Sequence, residues 1–261
     1  MNLDAAKHLQ CPYPALPAPV DVALTVLPSQ PCPYLPGRRS TSRAFHAPRL
    51  PEELYHDFMD AGFRRSGRIV YQPVCHGCRQ CVPIRVMVAG FRPSKSQRRT
   101  WRKNADVRVE VAVPAEPTNE KYALYRRYQL EWHGGPMSQD NRTGFESFLY
   151  DSPVHTIEFT YRDAGGKLLA IGICDLCRRS LSSVYFYHDP DEHRRGLGTL
   201  GVLHEIEFAR RRNIPYYYLG YWVAGCGSMQ YKADFRPHEL LHPDGAWRAA
   251  IGNPSPAGGA S

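Results

Sequence analysis

The stretch VYFYHDPDEHRRGLGTLGVLHEIEFARRR, residues 184–212, decides the fold of this chain. It opens as a strand over 181–188, turns at His193-Arg194-Arg195-Gly196-Leu197-Gly198, and continues as a long amphipathic helix over 198–212. A glycine-rich turn between a strand and a helix lets the backbone approach an anion, and the first N–H groups of the helix and its dipole then favour negative charge. Arg194, Arg195, Gly196 and Gly198 are therefore candidate substrate contacts. The plainer reading of the same residues is a tight strand-to-helix connection. Working outward, residues 154–161 and 167–175 alternate as two strands joined by the hairpin turn Asp163-Ala164-Gly165-Gly166. Residues 216–219 form a further strand after the helix. Strand, strand, strand, helix, strand points to an α/β (α+β) domain with a mixed sheet.

The strand, turn and helix resemble the pyrophosphate-binding turn of the GCN5-related acyltransferase fold, with His193 where that fold has Gln or Arg. The expected organisation is a cysteine-containing N-terminal region with a basic helix over 1–110, an acyltransferase-like domain over 111–248 and a disordered tail over 249–261. Residues 10–51 are proline-rich, so they are extended or turning, with short strands at most. Residues 51–62 read as a helix, 68–72, 81–89 and 106–113 as strands, and 118–132 as a helix with the aromatic stripe Tyr122, Tyr125, Tyr128 and Trp132 facing the core. Residues 145–150 read as helical.

Upstream lies FRRSGRIVYQPVCHGCRQCVPIRVMVAGFRPSKSQRR, residues 63–99. Ser94 and Gln97 form a capping-box signature, which starts a helix over 94–104. Lys95, Arg98, Arg99 and Arg102 recur at three and four residues and share one face. No acidic residue interrupts them, so the face repels itself, and a phosphate backbone would relieve that repulsion with release of counterions. Cys75, Cys78 and Cys81 stand at two-residue gaps. With Cys32 or His76 they supply soft ligands at a spacing that suits an iron–sulfur cluster or zinc, or else they are reduced thiols around a turn. Cys174 and Cys177 fall within a strand and read as buried thiols.

The whole chain has 261 residues and a formal net charge of +8, which favours an anionic partner. No apolar run approaches the roughly 20 residues of a membrane helix, and MNLDAAKHLQ lacks the apolar core of a signal peptide. The expectation is a cytoplasmic protein with no membrane partner and reduced thiols.

Several long strings occur together and in order: CPYLPG at 32–37, GFRRSG at 62–67, YQPVCHGCRQCVPIRV at 71–86, FRPSKSQRR at 91–99, VYFYHDPDEHRRGLG at 184–198 and YYLGYWVAGCGSMQYK at 217–232. They resemble the bacterial aminoacyl-tRNA–protein transferases, the aspartate/glutamate leucyltransferases. The resemblance covers nearly the whole chain. It departs at Gly227 and Ser228, where lysines often precede the methionine, and at the HGGPM string of 133–137, preceded here by Trp132.

The resemblance implies transfer of an amino acid, leucine in bacterial members and arginine in eukaryotic relatives, from its tRNA ester to the α-amine of a protein beginning with Asp or Glu. That product is marked for degradation through the N-degron route. The chemistry is aminolysis of an activated ester and requires no cofactor. Within it, Asp175 is the candidate proton acceptor, and Tyr231 and Lys232 are candidate contacts to the ester or the terminal adenosine. One of the pair Arg64 and Arg65, with Arg65 preferred, is expected to read the acidic acceptor side chain, because arginine matches a carboxylate bidentately. Lys95, Arg98, Arg99 and Arg102 would hold tRNA. Two other classes compete: an acetyl-CoA-dependent N-acetyltransferase, on the turn alone, and a zinc-containing RNA-binding module, on charge and cysteines alone.

Overall fold

The structure is a computed structural model and describes residues 22–133 and 141–250. Of the expected disordered tail 249–261, Ala249 instead ends the last strand, and residues 251–261, like residues 134–137 of the HGGPM string, lie outside the described residues. The elements, in chain order, are β1 Thr25–Val26, β2 Gln30–Pro31, β3 Arg39–Ser40, β4 Ser42–His46, α1 Glu52–Asp60, β5 Arg64–Ser66, β6 Ile69–Pro73, β7 Val82–Met87, α2 Lys95–Lys103 and β8 Arg108–Ala112. They continue with α3 Asn119–Tyr128, α4 Arg142–Leu149, β9 Thr156–Arg162, β10 Leu168–Cys177, β11 Ser180–His188, α5 Leu197–Arg211, β12 Tyr216–Trp222, α6 Gly227–Gln230, β13 His238–Leu241 and β14 Trp247–Ala249.

An eight-stranded mixed sheet carries the fold, in the order β14-β13-β7-β12-β11-β10-β9-β8. Its one parallel pair is β11 with β12, and α5 is the crossover between them. This is the strand–turn–helix unit expected from 184–212, and the mixed α/β class follows from it. The boundary expected between 110 and 111 falls inside β8, and β7 lies between β13 and β12 in the middle of the sheet. The sheet thus runs across that boundary, because the apolar residues Ile84 and Val86 of β7 are fully buried in the same core as α5 and β12.

The proline-rich stretch, within the described residues, forms only short strands. β4 and β1 join β6 and β5 in a four-stranded antiparallel sheet, and β2 pairs with β3. Helix α1 presents Tyr55, Phe58 and Met59 at helical spacing, and one apolar cluster joins them to Phe63 and Val70 of the small sheet region and to Tyr218 of β12. The small sheet and α1 are thereby packed against the middle strands of the large one. Tyr125 and Tyr128 of α3 are buried, as the stripe required, but the regular helix stops at Tyr128 and Gln129–His133 continues as a π-helical turn.

Candidate functional site

The parallel pairing of β11 with β12 covers only Ser180–Ser182 against Tyr216–Tyr218, although β11 runs on to His188 and β12 to Trp222. Both strands are irregular here. The register of β10 on β11 shifts after Ile173, and that of β12 on β7 shifts between Tyr218 and Tyr221. Gly220 sits in this bulge at φ +82°, a conformation that a side chain would strain. The sheet is therefore split in its middle, and Arg64 and Lys232 meet at the β12 side of the split.

Five Arg or Lys residues are buried among the described residues: Arg64, Arg65, Arg85, Lys121 and Lys232. A buried cation ordinarily holds a carboxylate. Arg65 holds Asp175 through two bonds of 2.6 Å. Arg85 holds Asp60 at 2.6 Å and Glu239 at 2.8 Å. Lys121 holds Glu158 at 2.7 Å. The two without a carboxylate, among the described residues, are Arg64 and Lys232, and they are neighbours. Arg64 is 5% exposed. It donates to the carbonyls of Phe63 at 2.6 Å and Gly220 at 3.2 Å, and it lies 5.2 Å from the Tyr218 ring centre and 5.6 Å from that of Tyr221. Its Nε has no partner. Lys232 reaches the split from the 3-10 turn Tyr231–Asp234 and donates from Nζ to the carbonyl of Tyr221 at 3.0 Å. A Cβ on Gly220 would stand 3.6 Å from that Nζ, so the bulge is also where the lysine head is accommodated.

Burial, and then the Arg64 guanidinium, push the Lys232 ammonium down to about 7. The ordinary value, near 10.5, applies to the unfolded chain. Between about 7 and about 10.5 the unfolded chain holds a proton that the folded one does not, so stability from this residue rises with pH across that window. Below it the burial penalty is fully present. Lys232→Met is expected to flatten the rise and to stabilise the protein at pH 6 by an amount on the order of a few kcal/mol. Urea unfolding at pH 6 and pH 9 measures this, and identical pH dependence in both proteins would contradict it.

The sequence reading placed Asp175 as a proton acceptor and preferred Arg65 as the acceptor-reading arginine. The structure joins the two to each other instead. Both side chains are 0% exposed. The carboxylate also accepts from the Tyr55 hydroxyl at 2.8 Å and from the Thr156 hydroxyl at 2.9 Å. Four donors in a dry site leave it no room to take a proton from a substrate, and Arg65 is committed to it. Asp175 and Arg65 form a structural clamp between β5 and β10. Successive strand residues point to opposite sides, so clamping Arg65 sends Arg64 toward the split.

Tyr231 is 38% exposed and meets the ring of Phe235 edge-on at 6.3 Å. Sequence reasoning missed Tyr218, Tyr221 and Gly220, which wall the Arg64 guanidinium; the signal available was the aromatic density of YYYLGYW. It also missed Glu205 of α5, a fully buried carboxyl that burial pushes up to about 7 and that accepts from Tyr217.

Helix α2 begins at the expected capping box, with Ser94 and Gln97 bonded reciprocally. Lys95, Arg98, Arg99 and Arg102 are all exposed. The C-terminal end of α2 is tied to the glycine-rich turn: Lys103 donates to the carbonyl of Arg194, and Asn104 to that of Arg195 at 2.9 Å. Arg194 is exposed beside α2. Arg195, also expected to contact substrate, is bonded to Asp106 at 3.0 Å and Glu192 at 2.9 Å and so braces the turn. Gly196 is left-handed at φ +69° and starts α5, with Gly198 in its first turn.

Cys32, Cys75, Cys78 and Cys81 share one neighbourhood. Burial, and then the other three thiols, push Cys81 up to about 12. No group of three or more His, Cys, Asp or Glu side chains among the described residues is placed to hold a metal ion. The four cysteines are thus gathered in one place, but no three of them are set out as a ligand cage in this arrangement. Cys174 and Cys177 are buried. Surface clefts of about 580 Å³ beside β8 and about 430 Å³ beside α1 are lined by other residues than Arg64 and Lys232.

The profile of "Arginine-tRNA-protein transferase, N terminus" matches residues 30–99, and that of "Arginine-tRNA-protein transferase, C terminus" matches residues 120–242. The chain belongs to this transferase family. The transferase is 42% identical over 222 residues to the aspartate/glutamate leucyltransferase of Parvibaculum lavamentivorans, covering 84% of this chain and 91% of that one. It is 40% identical over 220 residues to the protein of that name from Gluconacetobacter diazotrophicus, covering 83% and 84%. Among solved structures it is similar to L-PGS of Bacillus licheniformis, with a TM-score of 0.46, 10% identity and coverage of 79% of this chain and 65% of that one. No helix among the described residues is long and apolar enough to cross a membrane.

Proposed function

We propose that this transferase moves leucine from leucyl-tRNA to the α-amine of proteins beginning with Asp or Glu, marking them for degradation. The observation that carries the reading is the pair of adjacent buried cations, Arg64 and Lys232, without a carboxylate of the chain's own. Such a pair stands ready for an anionic group brought by a substrate, and an N-terminal Asp or Glu side chain is of the right charge and planarity for the Arg64 fork. Arg64, not Arg65, is the reader in this proposal.

The acceptor nitrogen attacks the ester carbonyl carbon, the amide bond forms, and the bond to the tRNA 3′ oxygen breaks. An α-ammonium loses two protons on the way to an amide. One goes to the leaving 3′ oxygen. The other is taken by the unprotonated form of Lys232, which burial and the Arg64 guanidinium keep populated near pH 7. Binding the two substrates side by side at the split supplies the positioning that an already activated ester needs. In this reading Tyr231, exposed on the same turn, touches the ester or the terminal adenosine. Aminolysis of this kind needs no cofactor.

The test is a mass-shift assay with an Asp-starting peptide and a mixture of charged tRNAs. A leucine-sized gain supports the proposal; an arginine-sized gain changes the donor; no gain, or an acetyl-sized gain with acetyl-CoA, removes it. The basic face of α2 is proposed to hold the tRNA phosphates. Lys95→Glu with Arg99→Glu is expected to weaken tRNA binding at least tenfold near physiological salt and to lower the salt slope by about one unit per lost contact. Unchanged affinity and slope would remove α2 from the interface.

A further inference from the structure

We infer that Trp101, set among the cations of α2, is a stacking platform for an unpaired nucleotide of the tRNA. The inference rests on the tRNA reading above. Trp101 is an exposed large hydrophobic residue, 38% accessible. It lies on α2 between Arg98 and Arg99 on one side and Arg102 and Lys103 on the other, and all of these are exposed. Its helical neighbours Gln97 and Asn104, four before and three after, are buried. Trp101 thus sits on the seam between the face that packs inward and the face that is basic.

The indole is held in place. It stacks on His204 of α5 with ring centres 4.4 Å apart and planes 27° apart. That imidazole is neutral: burial, and then Arg211, push it down to about 4. The contact is therefore ring on neutral ring, and it fixes the indole without needing a charge.

A packing role alone explains why the ring meets His204. It does not explain why a large apolar ring stays exposed in a field of five cations. An apolar protein partner would have to desolvate those cations. A polyanion with aromatic faces fits both features at once. In a continuous duplex the bases are stacked on one another, so an aromatic side chain engages bases that are splayed out or single-stranded. Phosphates flanking such a base would meet Arg98, Arg99 and Arg102. Arg194, on the turn bonded to the end of α2, extends the same surface.

The experiment compares the wild type with Trp101→Leu and Trp101→Phe in binding tRNA and a blunt, fully paired RNA duplex over a range of salt. Trp101→Leu is expected to weaken tRNA binding about tenfold, the size of one lost base stack, with an unchanged salt slope and unchanged duplex binding. Trp101→Phe should retain most of the affinity. Equal weakening on tRNA and duplex, or no weakening on tRNA, overturns the inference. A second measurement does not depend on the leucine variant folding. Saturation with tRNA should quench the part of the indole emission that is absent in Trp101→Phe, and no quenching overturns the inference. Failure of the wild type to bind tRNA in either measurement would instead refute the tRNA reading on which it rests.

Discussion

Arg64→Gln is expected to erase the preference for acidic acceptors. Arg64 is 5% exposed, has an unpartnered Nε and sits beside a second buried cation. An Asp-starting peptide gives it a carboxylate, whereas an Asn-starting peptide leaves it unpaired. Truncating one partner of a buried charge pair costs about 2–5 kcal/mol, so the ratio of kcat/KM for the two peptides should fall by about 100-fold in the variant. The ratio is the right readout, because Arg64 also donates to the carbonyls of Phe63 and Gly220, and its replacement will loosen the fold to some extent. Both peptides see the same fraction of folded enzyme. A wild-type ratio in Arg64→Gln would mean that the acidic side chain is read elsewhere, with Lys232 the first residue to examine.

The second large effect is on stability. Asp175→Ala leaves the Arg65 guanidinium buried and unpaired and strips acceptors from Tyr55 and Thr156. Removing one member of a buried ion pair costs about 3–5 kcal/mol. Arg65→Met alone should cost a comparable amount, and the double variant Asp175→Ala/Arg65→Met should recover much of the loss, since neither charge is then stranded. Urea unfolding of the four proteins measures the cycle. If the two single variants each lose less than about 1 kcal/mol, the clamp is not what holds the small sheet to β10. Strict additivity would mean that the two charges do not depend on each other.

Much of the fold was legible in local patterns. The capping box at Ser94, the hairpin turn at Asp163-Ala164-Gly165-Gly166, the strand–turn–helix of 184–212 and the alternation along β7 are all set by neighbours within a few residues. Such signals survive without tertiary context. The short strands β5, β13 and β14 were not foreseen. Strands of three or four residues carry too little alternation to stand out, and they form because a partner strand is already present.

The site divides in the same way. Sequence by itself determined that α2 has one basic face, that a glycine-rich turn opens α5, and that Arg64 and Arg65 form a pair near a cysteine run. It also carried enough ordered motif to place the family. Only the tertiary structure decided what each charge does. Adjacent strand residues point opposite ways, so one arginine of the pair had to face Asp175, 110 residues distant in the chain, and the other the split beside β12. Which one did so depends on how the small sheet docks onto β10 and β12, which no local pattern encodes. The same holds for Lys232. Its drop to about 7 comes from burial beside Arg64, a neighbour 168 residues away in sequence, and desolvation is a property of the packed molecule alone.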